Sequence, residues 1–266
     1  MLLPPLFPPL TVTDQMGRRV AVPYPPQRIV SLVPSQTELL FELGLGEKVV
    51  GVTKFCIHPA AARTKAVIIG GTKNFHFDRI DALKPDLILG NKEENYREGI
   101  EQLAEKHAVW MSDIATLEEA LRMIRQVGMV AGAPARAEQL AATLQASFAD
   151  LELPALPRSA AYFIWRKPYM VAAGGTFIDD LLGRAGFTNV FATQARYPEV
   201  TAAQLAAAAP DTILLSSEPY PFGEKHVAEF QAICPAAAVH IVDGELFSWY
   251  GSRLLHSATY FRTLQP

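Results

Sequence analysis

The hydrophobic pattern of the first hundred residues predicts strands that alternate with helices. A nearly continuous apolar run over 28–34 is typical of a buried strand, and residues 35–44 have helical apolar spacing that ends at a glycine. Residues 49–52 predict the next strand, and this order indicates a parallel α/β sheet. The alternation continues with a short helix at 77–83, a strand at 86–89, a helix at 97–106 and a strand at 108–111. A first α/β lobe is therefore complete by about residue 113.

The second half of the chain repeats this order. Pro85-Asp86 precedes one apolar run and Pro210-Asp211 precedes another, 125 residues later. In each half a helical pattern comes before the dipeptide, and acidic and aromatic residues follow the predicted strand. Several matches in the same order favour a duplicated α/β unit.

Two long helical patterns lie between the halves, at 116–132 and 135–151. The second is rich in strong helix formers and would be about 25 Å long at 1.5 Å per residue. We therefore predict an amino-terminal α/β lobe over 1–133, a connecting helix over 134–153 and a carboxyl-terminal α/β lobe over 154–266. A helical connector allows only small changes of angle between lobes.

Composition limits the classes of function. A formal net charge of -3 over 266 residues, with no basic block, disfavours a nucleic-acid partner. Cys56 and Cys234 lack metal-ligand spacing and are interpreted as buried apolar thiols rather than a disulfide. No run approaches the roughly 18 apolar residues of a membrane helix. Residues 1–10 are apolar, but prolines interrupt them and they lack a charged start, so we expect no signal peptide and a water-soluble chain.

The sequence contains no enzyme fingerprint. Gly-x-x-x-x-Gly-Lys-Ser/Thr, Gly-x-Gly-x-x-Gly and Gly-x-Ser-x-Gly are all missing. We therefore predict a binding protein with no catalytic residues and no cofactor. A cytosolic sensor, a storage protein or a chelatase-like enzyme acting on a tetrapyrrole stays open as the alternative.

An ordered set of features resembles a known family. The set consists of a strand followed by Pro34-Ser35-Gln36-Thr37-Glu38, the two Pro-Asp strands, the helical connector and the closing segment Phe247–Arg253. Together they resemble the helical-backbone (class III) substrate-binding proteins of ABC importers, and among these the vitamin B12, iron–siderophore and haem receptors. The resemblance implies two α/β lobes with mostly parallel sheets, a single long helix joining them and a ligand cleft between the lobes.

Ligand contacts are expected in the loops at the carboxyl ends of the strands, which line the crevice in open α/β sheets. These loops are rich in aromatic residues, which favours a flat, largely apolar ligand, and cations there can pair with a carboxylate or phosphate. We predict that an aromatic cleft captures a metal chelate, namely a corrinoid, haem or a ferric siderophore. The candidate ligand-binding residues are Phe55, Phe75, Tyr96, Trp165, Arg166, Phe191, Arg196, Tyr220, Trp249 and Arg253.

A site for a bare metal ion is a second interpretation. The resemblance implies three histidines and a carboxylate in receptors for zinc or manganese, a donor set that suits divalent ions. Here His58 and His76 lie in candidate loops, whereas His107 and His240 lie beside predicted strands and are interpreted as packing residues. We predict no protein metal site and expect any metal to arrive already chelated.

The resemblance also implies a surface that docks on ABC permease subunits, with one carboxylate from each lobe near the start of a helix. Glu98, or its neighbours Glu93 and Glu94, matches this position in the first lobe, and Glu224 or Glu218 matches it in the second. Acidic helix starts also occur without a partner, because a negative charge there stabilises a helix by about 0.3–1 kcal/mol. Both interpretations stay open.

We predict a monomer whose partners are a small-molecule metal chelate and the permease subunits, with membrane contact only through the permease. The resemblance implies a location in the periplasm or at the cell surface. The expected lack of a signal peptide points instead to the cytoplasm, so two localisations stay open.

Overall fold

The computed structural model describes residues 8–152 and 154–264. Most of residues 1–10, for which we expect no signal peptide, therefore lie outside the described residues. The chain divides into two compact units, which confirms the two-lobe prediction. The first unit runs to Asp113 and adds Glu118–Leu144 and Tyr250–Arg253, and the second comprises Ile114–Leu117, Gln145–Trp249 and the chain from Leu254 onward. The predicted bounds 1–133, 134–153 and 154–266 stay predictions.

The first unit alternates strands with helices, as its hydrophobic pattern predicts. In chain order its elements are β1 (Leu10–Thr13), β2 (Arg19–Val22), β3 (Ile29–Ser31), α1 (Pro34–Glu42), a 3-10 helix (Gly46–Lys48), β4 (Val49–Val52), α2 (Ala60–Lys65), β5 (Val67–Ile68), α3 (Phe77–Leu83), β6 (Leu87–Asn91), α4 (Arg97–Ala104), β7 (Val109–Ser112), α5 (Leu117–Ala131) and α6 (Pro134–Ala149).

A five-stranded parallel sheet forms the centre of the first unit, in the order β5-β4-β3-β6-β7. Every residue of β3, β6 and β7 is buried, which explains why these strands have continuous apolar runs in the sequence. The antiparallel hairpin β1–β2 pairs separately. Because all five central strands are parallel, the loops that follow them collect at one edge of the sheet.

The predicted bounds of β4 and α3 agree with the observed ones, and the other predicted elements of this unit agree to within a few residues. The hairpin β1–β2, the helix α2 and the strand β5 were not predicted. β5 has only two residues and α2 only six, which is too short for a hydrophobic period to appear.

The second unit has the same alternation. Its elements are β8 (Arg158–Trp165), β9 (Met170–Val171), α7 (Phe177–Arg184), β10 (Phe187–Asn189), α8 (Ala202–Ala208), β11 (Thr212–Ser216), α9 (Glu224–Ile233), β12 (Ala238–Val242), α10 (Glu245–Ser248) and α11 (Leu254–Leu264). The strands β10-β8-β11-β12 are parallel, and β9 pairs antiparallel with β8. Phe163 and Phe230, whose ring centroids are 4.7 Å apart, pack at the centre of the core on one side of this sheet.

The repeated Pro-Asp dipeptide has the same structural role in both units. Lys84 and Ala209, immediately before each dipeptide, end a helix in the left-handed conformation with φ of 45° and 43°. Asp86 then accepts hydrogen bonds at 2.7 and 3.0 Å from the backbone N–H groups just before β3. Asp211 accepts at 2.9 and 2.7 Å from the N–H and hydroxyl of Ser159 in β8. This agreement in geometry supports the predicted duplication.

The helix α6 spans most of the predicted connector, and the boundary between the two units lies inside it, after Leu144. In the first unit α6 packs tightly on α5, because Gly128 has no side chain: a Cβ there would lie 2.1 Å from the Cβ of Ala137. Arg125 on α5 also forms two hydrogen bonds to Glu138 on α6, at 2.8 and 3.1 Å. The first half of α6 is therefore firmly held by the first unit.

Two helical glycines should respond to alanine in opposite directions. Gly128→Ala should lower the free energy of unfolding by about 1–3 kcal/mol, because the new methyl group overlaps Ala137. Gly183→Ala in α7 meets no atom within 4 Å and should raise it by about 0.5–1 kcal/mol, because alanine is the better helix former. Urea denaturation of both variants checks this pair, and equal shifts would contradict the packing described for α5 and α6.

Candidate functional site

Exposed apolar side chains mark the carboxyl edges of both sheets. Phe55 and Ile57, in the loop after β4, are 50% and 44% exposed. Trp165, the last residue of β8, is 39% exposed. A large apolar group that no core requires, placed where open α/β sheets bind ligands, indicates a binding surface. We call the loops after β3–β7 the first edge and the loops after β8, β11 and β12 the second edge.

At the first edge, contacts of the neighbouring residue Cys56 hold the loop that carries Phe55. Cys56 is buried, and its thiol lies 3.1 Å from the Thr37 hydroxyl and 3.2 Å from the Thr53 hydroxyl. Burial raises the pKa of the Cys56 thiol, so the group stays neutral. Lys54 lies over the exposed ring of Phe55, with its Nζ 5.0 Å from the ring centroid. Both cysteines are buried and free, as predicted.

A buried polar network joins the loops of the first edge. The Gln36 side chain donates to the Ser112 hydroxyl at 2.7 Å, and Asn91 donates to the same hydroxyl at 3.0 Å. Asn95 accepts from the Asn91 backbone N–H at 2.9 Å and donates to the Thr72 carbonyl at 3.0 Å. Since a buried polar group without a partner is costly, the network fixes these loops in one arrangement.

Phe75 and Tyr96 are brought together at the first edge. Their rings are stacked with centroids 5.0 Å apart, and Phe77 packs edge-on against Phe75 at 5.4 Å. Tyr96 lies across Gly99, where any side chain would collide with its ring. Phe75 is buried and Tyr96 is half-buried. A ligand role for Phe75 and Tyr96 stays a prediction, with Phe75 placed to support the Tyr96 ring.

The acidic residues near α4 differ in their surroundings. Glu98 is exposed in the first turn of α4, whereas the Glu94 carboxyl is half-buried. Burial raises the pKa of Glu94, although Lys73 opposes this shift. Glu224 is exposed at the start of α9. Of the predicted docking carboxylates, Glu98 and Glu224 are therefore the two that solvent reaches most freely.

At the second edge Trp165, Arg166 and Tyr220 lie together. The Trp165 and Tyr220 rings are edge-on with centroids 5.6 Å apart. Arg166 forms an ion pair with Glu229 at 2.7 Å, and the hydroxyl of Tyr169 donates to the other oxygen of that carboxylate. Burial alone would raise the pKa of Glu229. Hydrogen bonds from Arg166 and Tyr169 outweigh burial and lower this pKa. Burial and the Glu229 contact raise the pKa of Tyr169 to about 12.

Three other predicted ligand residues of the second unit have different surroundings. Phe191 is 4% exposed and belongs to the core beneath the sheet. Trp249 is 8% exposed, and its indole N–H donates to Glu218 at 3.0 Å. Arg196 has a positive φ of 64° and donates to the Gly175 carbonyl at 3.0 Å. Their ligand roles stay predictions.

Arg253 lies in the first unit, on the segment that passes over α1. Its guanidinium forms two hydrogen bonds to Glu38, from Nε at 3.1 Å and from Nη2 at 2.7 Å. Both side chains are largely buried. Gly251 allows the close approach, because a Cβ there would be 3.0 Å from the Ser35 carbonyl oxygen. The charge of Arg253, predicted for a ligand anion, is thus compensated within the protein.

The structure also adds residues outside the candidate ligand-binding set, namely Ile57, Tyr169, His226 and Glu229. Ile57 follows Phe55 by two residues and could have been found from its exposed loop position. Tyr169 and Glu229 act through a contact between α9 and the loop after β8, which no local sequence pattern reports. His226 contacts Gly223 at the start of α9 and Tyr220 in the loop after β11.

Two pockets lie beside the sheets. One of about 470 Å³ lies at the carboxyl ends of β11 and β12, with Ser217, Glu218 and Asp243 among its lining residues. A larger one of about 580 Å³ lies at the amino ends of β6 and β7, away from the first edge. In the described ranges, no three His, Cys, Asp or Glu residues are grouped to hold a metal ion. No helix of the described chain is long and apolar enough to cross a bilayer.

Duplicated α/β units with parallel sheets and aromatic carboxyl edges define the class of two-lobe substrate-binding proteins. A model of the periplasmic binding protein family matches residues 29–233, and the chain belongs to this family.

Relatives and solved structures agree with this assignment. The chain is 29% identical over 240 residues to a vitamin B12-binding protein of Pectobacterium carotovorum, covering 88% of this chain and 86% of the relative. It is 28% identical over 217 residues to an ABC transporter substrate-binding lipoprotein of Bacillus subtilis, covering 77% and 68%. The periplasmic haem-binding protein RhuT from Roseiflexus superposes with a TM-score of 0.79 and 26% identity, covering 89% of this chain and 97% of that chain.

Glu94 should make stability depend on pH. Because burial raises its pKa above the unfolded value, folding favours the protonated carboxyl, and stability falls as the pH rises through the unfolded and then the folded pKa. Glu94→Gln should therefore raise the melting temperature at pH 7.5 and leave it nearly unchanged at pH 4. Melting curves across this range measure the effect, with the exposed Glu98→Gln as control. A Glu94→Gln curve parallel to the wild-type curve would refute the assignment.

The Glu38–Arg253 pair should show strong coupling. Glu38→Gln and Arg253→Gln should each lower the free energy of unfolding by about 1.5–3 kcal/mol, since each leaves a largely buried charge without its partner. The double variant should be less destabilised than the sum, with a coupling of about 1–2 kcal/mol from the cycle. The exposed pair Arg97 and Glu101 is the matched control and should show much weaker coupling. Additive effects at Glu38 and Arg253 would contradict this interpretation.

Proposed function

We propose that this protein is the substrate-binding component of an ABC importer and that it captures a flat metal chelate, namely a corrinoid, haem or a ferric siderophore. The observation that carries the proposal is the exposure of Phe55 and Trp165, one at the carboxyl edge of each sheet. Neighbouring contacts hold each ring in place. Next to Phe55, the buried Cys56 contacts two threonine hydroxyls, and the Tyr220 ring packs against Trp165. A rigid exposed aromatic ring loses little entropy when it binds a flat ligand.

The magnitude of the effect supports this choice of ligand. Apolar surface removed from water stabilises a complex by roughly 25 cal/mol per Å², before the cost of association is subtracted. Each edge offers apolar area that a flat ligand can cover, from Phe55 and Ile57 at the first edge and from Trp165 at the second, whereas a bare ion would use none of it. The relatives named for vitamin B12 and for haem bind ligands of this kind, which supports a chelate.

The remaining parts of the proposal follow from the class of protein. The family consists of substrate-binding proteins, and we propose that this chain binds without catalysing a reaction. We further propose a monomer in the periplasm or at the cell surface that docks on permease subunits through the exposed carboxylates Glu98 and Glu224. Relatives in ABC transport favour this function over a cytosolic sensor, a storage protein or a chelatase-like enzyme.

The proposal predicts which ligand stabilises the protein and which residues weaken capture. In a thermal-shift screen with cyanocobalamin, haem, ferrichrome and zinc, at least one chelate should raise the melting temperature, because it binds only the folded state. Titration calorimetry should then show one-to-one binding that Phe55→Ala and Trp165→Ala each weaken about tenfold, equal to about 1.4 kcal/mol.

The matched control is Met129→Ala, since Met129 is exposed to a similar degree but lies on α5. All three variants should keep the wild-type melting temperature within a few degrees. Stabilisation by zinc alone, or chelate binding that ignores both aromatic substitutions, would refute the proposed capture.

A further inference from the structure

A group of polar side chains adjoins Trp165 at the second edge. It joins the loop after β8, the loop after β11 and the helix α9. We call it the Tyr220 cluster, and it consists of Arg166, Tyr169, Tyr220, His226 and Glu229.

The proton on His226 is placed by its own helix. The Gly223 backbone N–H, at the amino terminus of α9, donates to His226 Nδ1 at 2.9 Å. Nδ1 therefore holds a lone pair, and in the neutral imidazole the proton must be on Nε2. Nε2 lies 3.3 Å from the Tyr220 hydroxyl oxygen, so His226 is the donor in this contact and the Tyr220 oxygen is the acceptor.

Arg166 belongs to the same cluster through Glu229. Its guanidinium pairs with the Glu229 carboxylate at 2.7 Å, and this contact raises the pKa of Arg166. His226 engages one lone pair of the Tyr220 oxygen. Its own hydrogen has no acceptor among the contacts of the described chain, and Tyr220 is only half-buried. Solvent and any ligand therefore have access to this hydroxyl as a hydrogen-bond donor.

We propose that the Tyr220 hydroxyl donates to a carboxylate on the rim of the captured chelate, next to the face that Trp165 contacts, and that His226 is the positioning residue for this hydroxyl. This inference rests on the proposed function and names its ligand class: a flat chelate with peripheral carboxylates, such as a porphyrin.

A carboxylate suits the donor that the cluster presents. Tyr220 accepts from His226, and the two Glu229 oxygens accept from Arg166 and Tyr169. A carboxylate is only an acceptor, so it matches the hydroxyl hydrogen of Tyr220.

The test compares three porphyrin probes by titration of the full chain: haem, metal-free protoporphyrin IX and protoporphyrin IX dimethyl ester. Tyr220→Phe keeps the ring and removes only the hydroxyl. It should weaken haem and protoporphyrin IX about tenfold, the usual effect of losing a hydrogen bond to a charged group, and should leave binding of the dimethyl ester nearly unchanged. Tyr24→Phe, an exposed tyrosine of the first unit, is the control and should change none of the three.

His226→Asn tests the positioning role. The asparagine oxygen can still accept from Gly223, but the donor to Tyr220 is lost. This variant should weaken the two acidic porphyrins by a few fold and should add nothing to the loss caused by Tyr220→Phe. An additive loss would overturn the positioning role.

The remaining outcomes show whether the inference about Tyr220 fails alone or together with the proposed function. If the wild type binds cyanocobalamin or ferrichrome but no porphyrin, the inference is overturned and the proposed function stands. If it binds no chelate at all, both fail. Equal porphyrin binding by wild type and Tyr220→Phe overturns only the inference. A loss for haem without a loss for protoporphyrin IX would mean that Tyr220 contacts the iron, which also overturns it.

Discussion

In each unit one hydrogen-bonded carboxylate holds the start of a central strand, the constraint from which the candidate edges are built. Asp86 holds the backbone before β3, and Asp211 holds Ser159 in β8. Because the strands on both sides of β3 and β8 run parallel to them, the loops that follow these strands meet at a single edge of each sheet. Aromatic and polar groups occupy that edge in each unit.

Different polar contacts hold the loops in place at the two edges. At the first edge a buried network of amides and hydroxyls fixes the loops, and Phe55 stands above it. At the second edge an ion pair and a helix-capping histidine fix the side chains around Trp165. In both cases polar contacts within the protein hold the loops, and an apolar ring is left exposed. Such an arrangement is organised before a ligand arrives, which lowers the entropy cost of binding.

The sequence predicted the fold better than the site. Buried parallel strands have continuous apolar runs, and the helix α6 has strong helix formers over its whole length, so these elements could be predicted locally. The site depends on contacts between distant residues. A loop position alone could not distinguish the exposed Trp165 from the buried Phe191, or show that Arg253 is compensated by Glu38, 215 residues away in the chain. The positions of helices and strands along the chain were predictable from the local hydrophobic pattern. The exposure of individual side chains and the pairing of charged groups could be seen only in the tertiary structure.

The central claim is that the exposed rings contact the ligand, and fluorine NMR of the chain labelled with 5-fluorotryptophan tests it most directly. The three tryptophans are Trp110 and Trp249, which are buried, and Trp165, which is exposed. On saturation with a diamagnetic chelate, cyanocobalamin or metal-free protoporphyrin IX, the Trp165 resonance should shift strongly and lose its solvent exposure, while that of Trp110 should stay in place. One-to-one binding of either chelate with an unchanged Trp165 resonance would contradict the account.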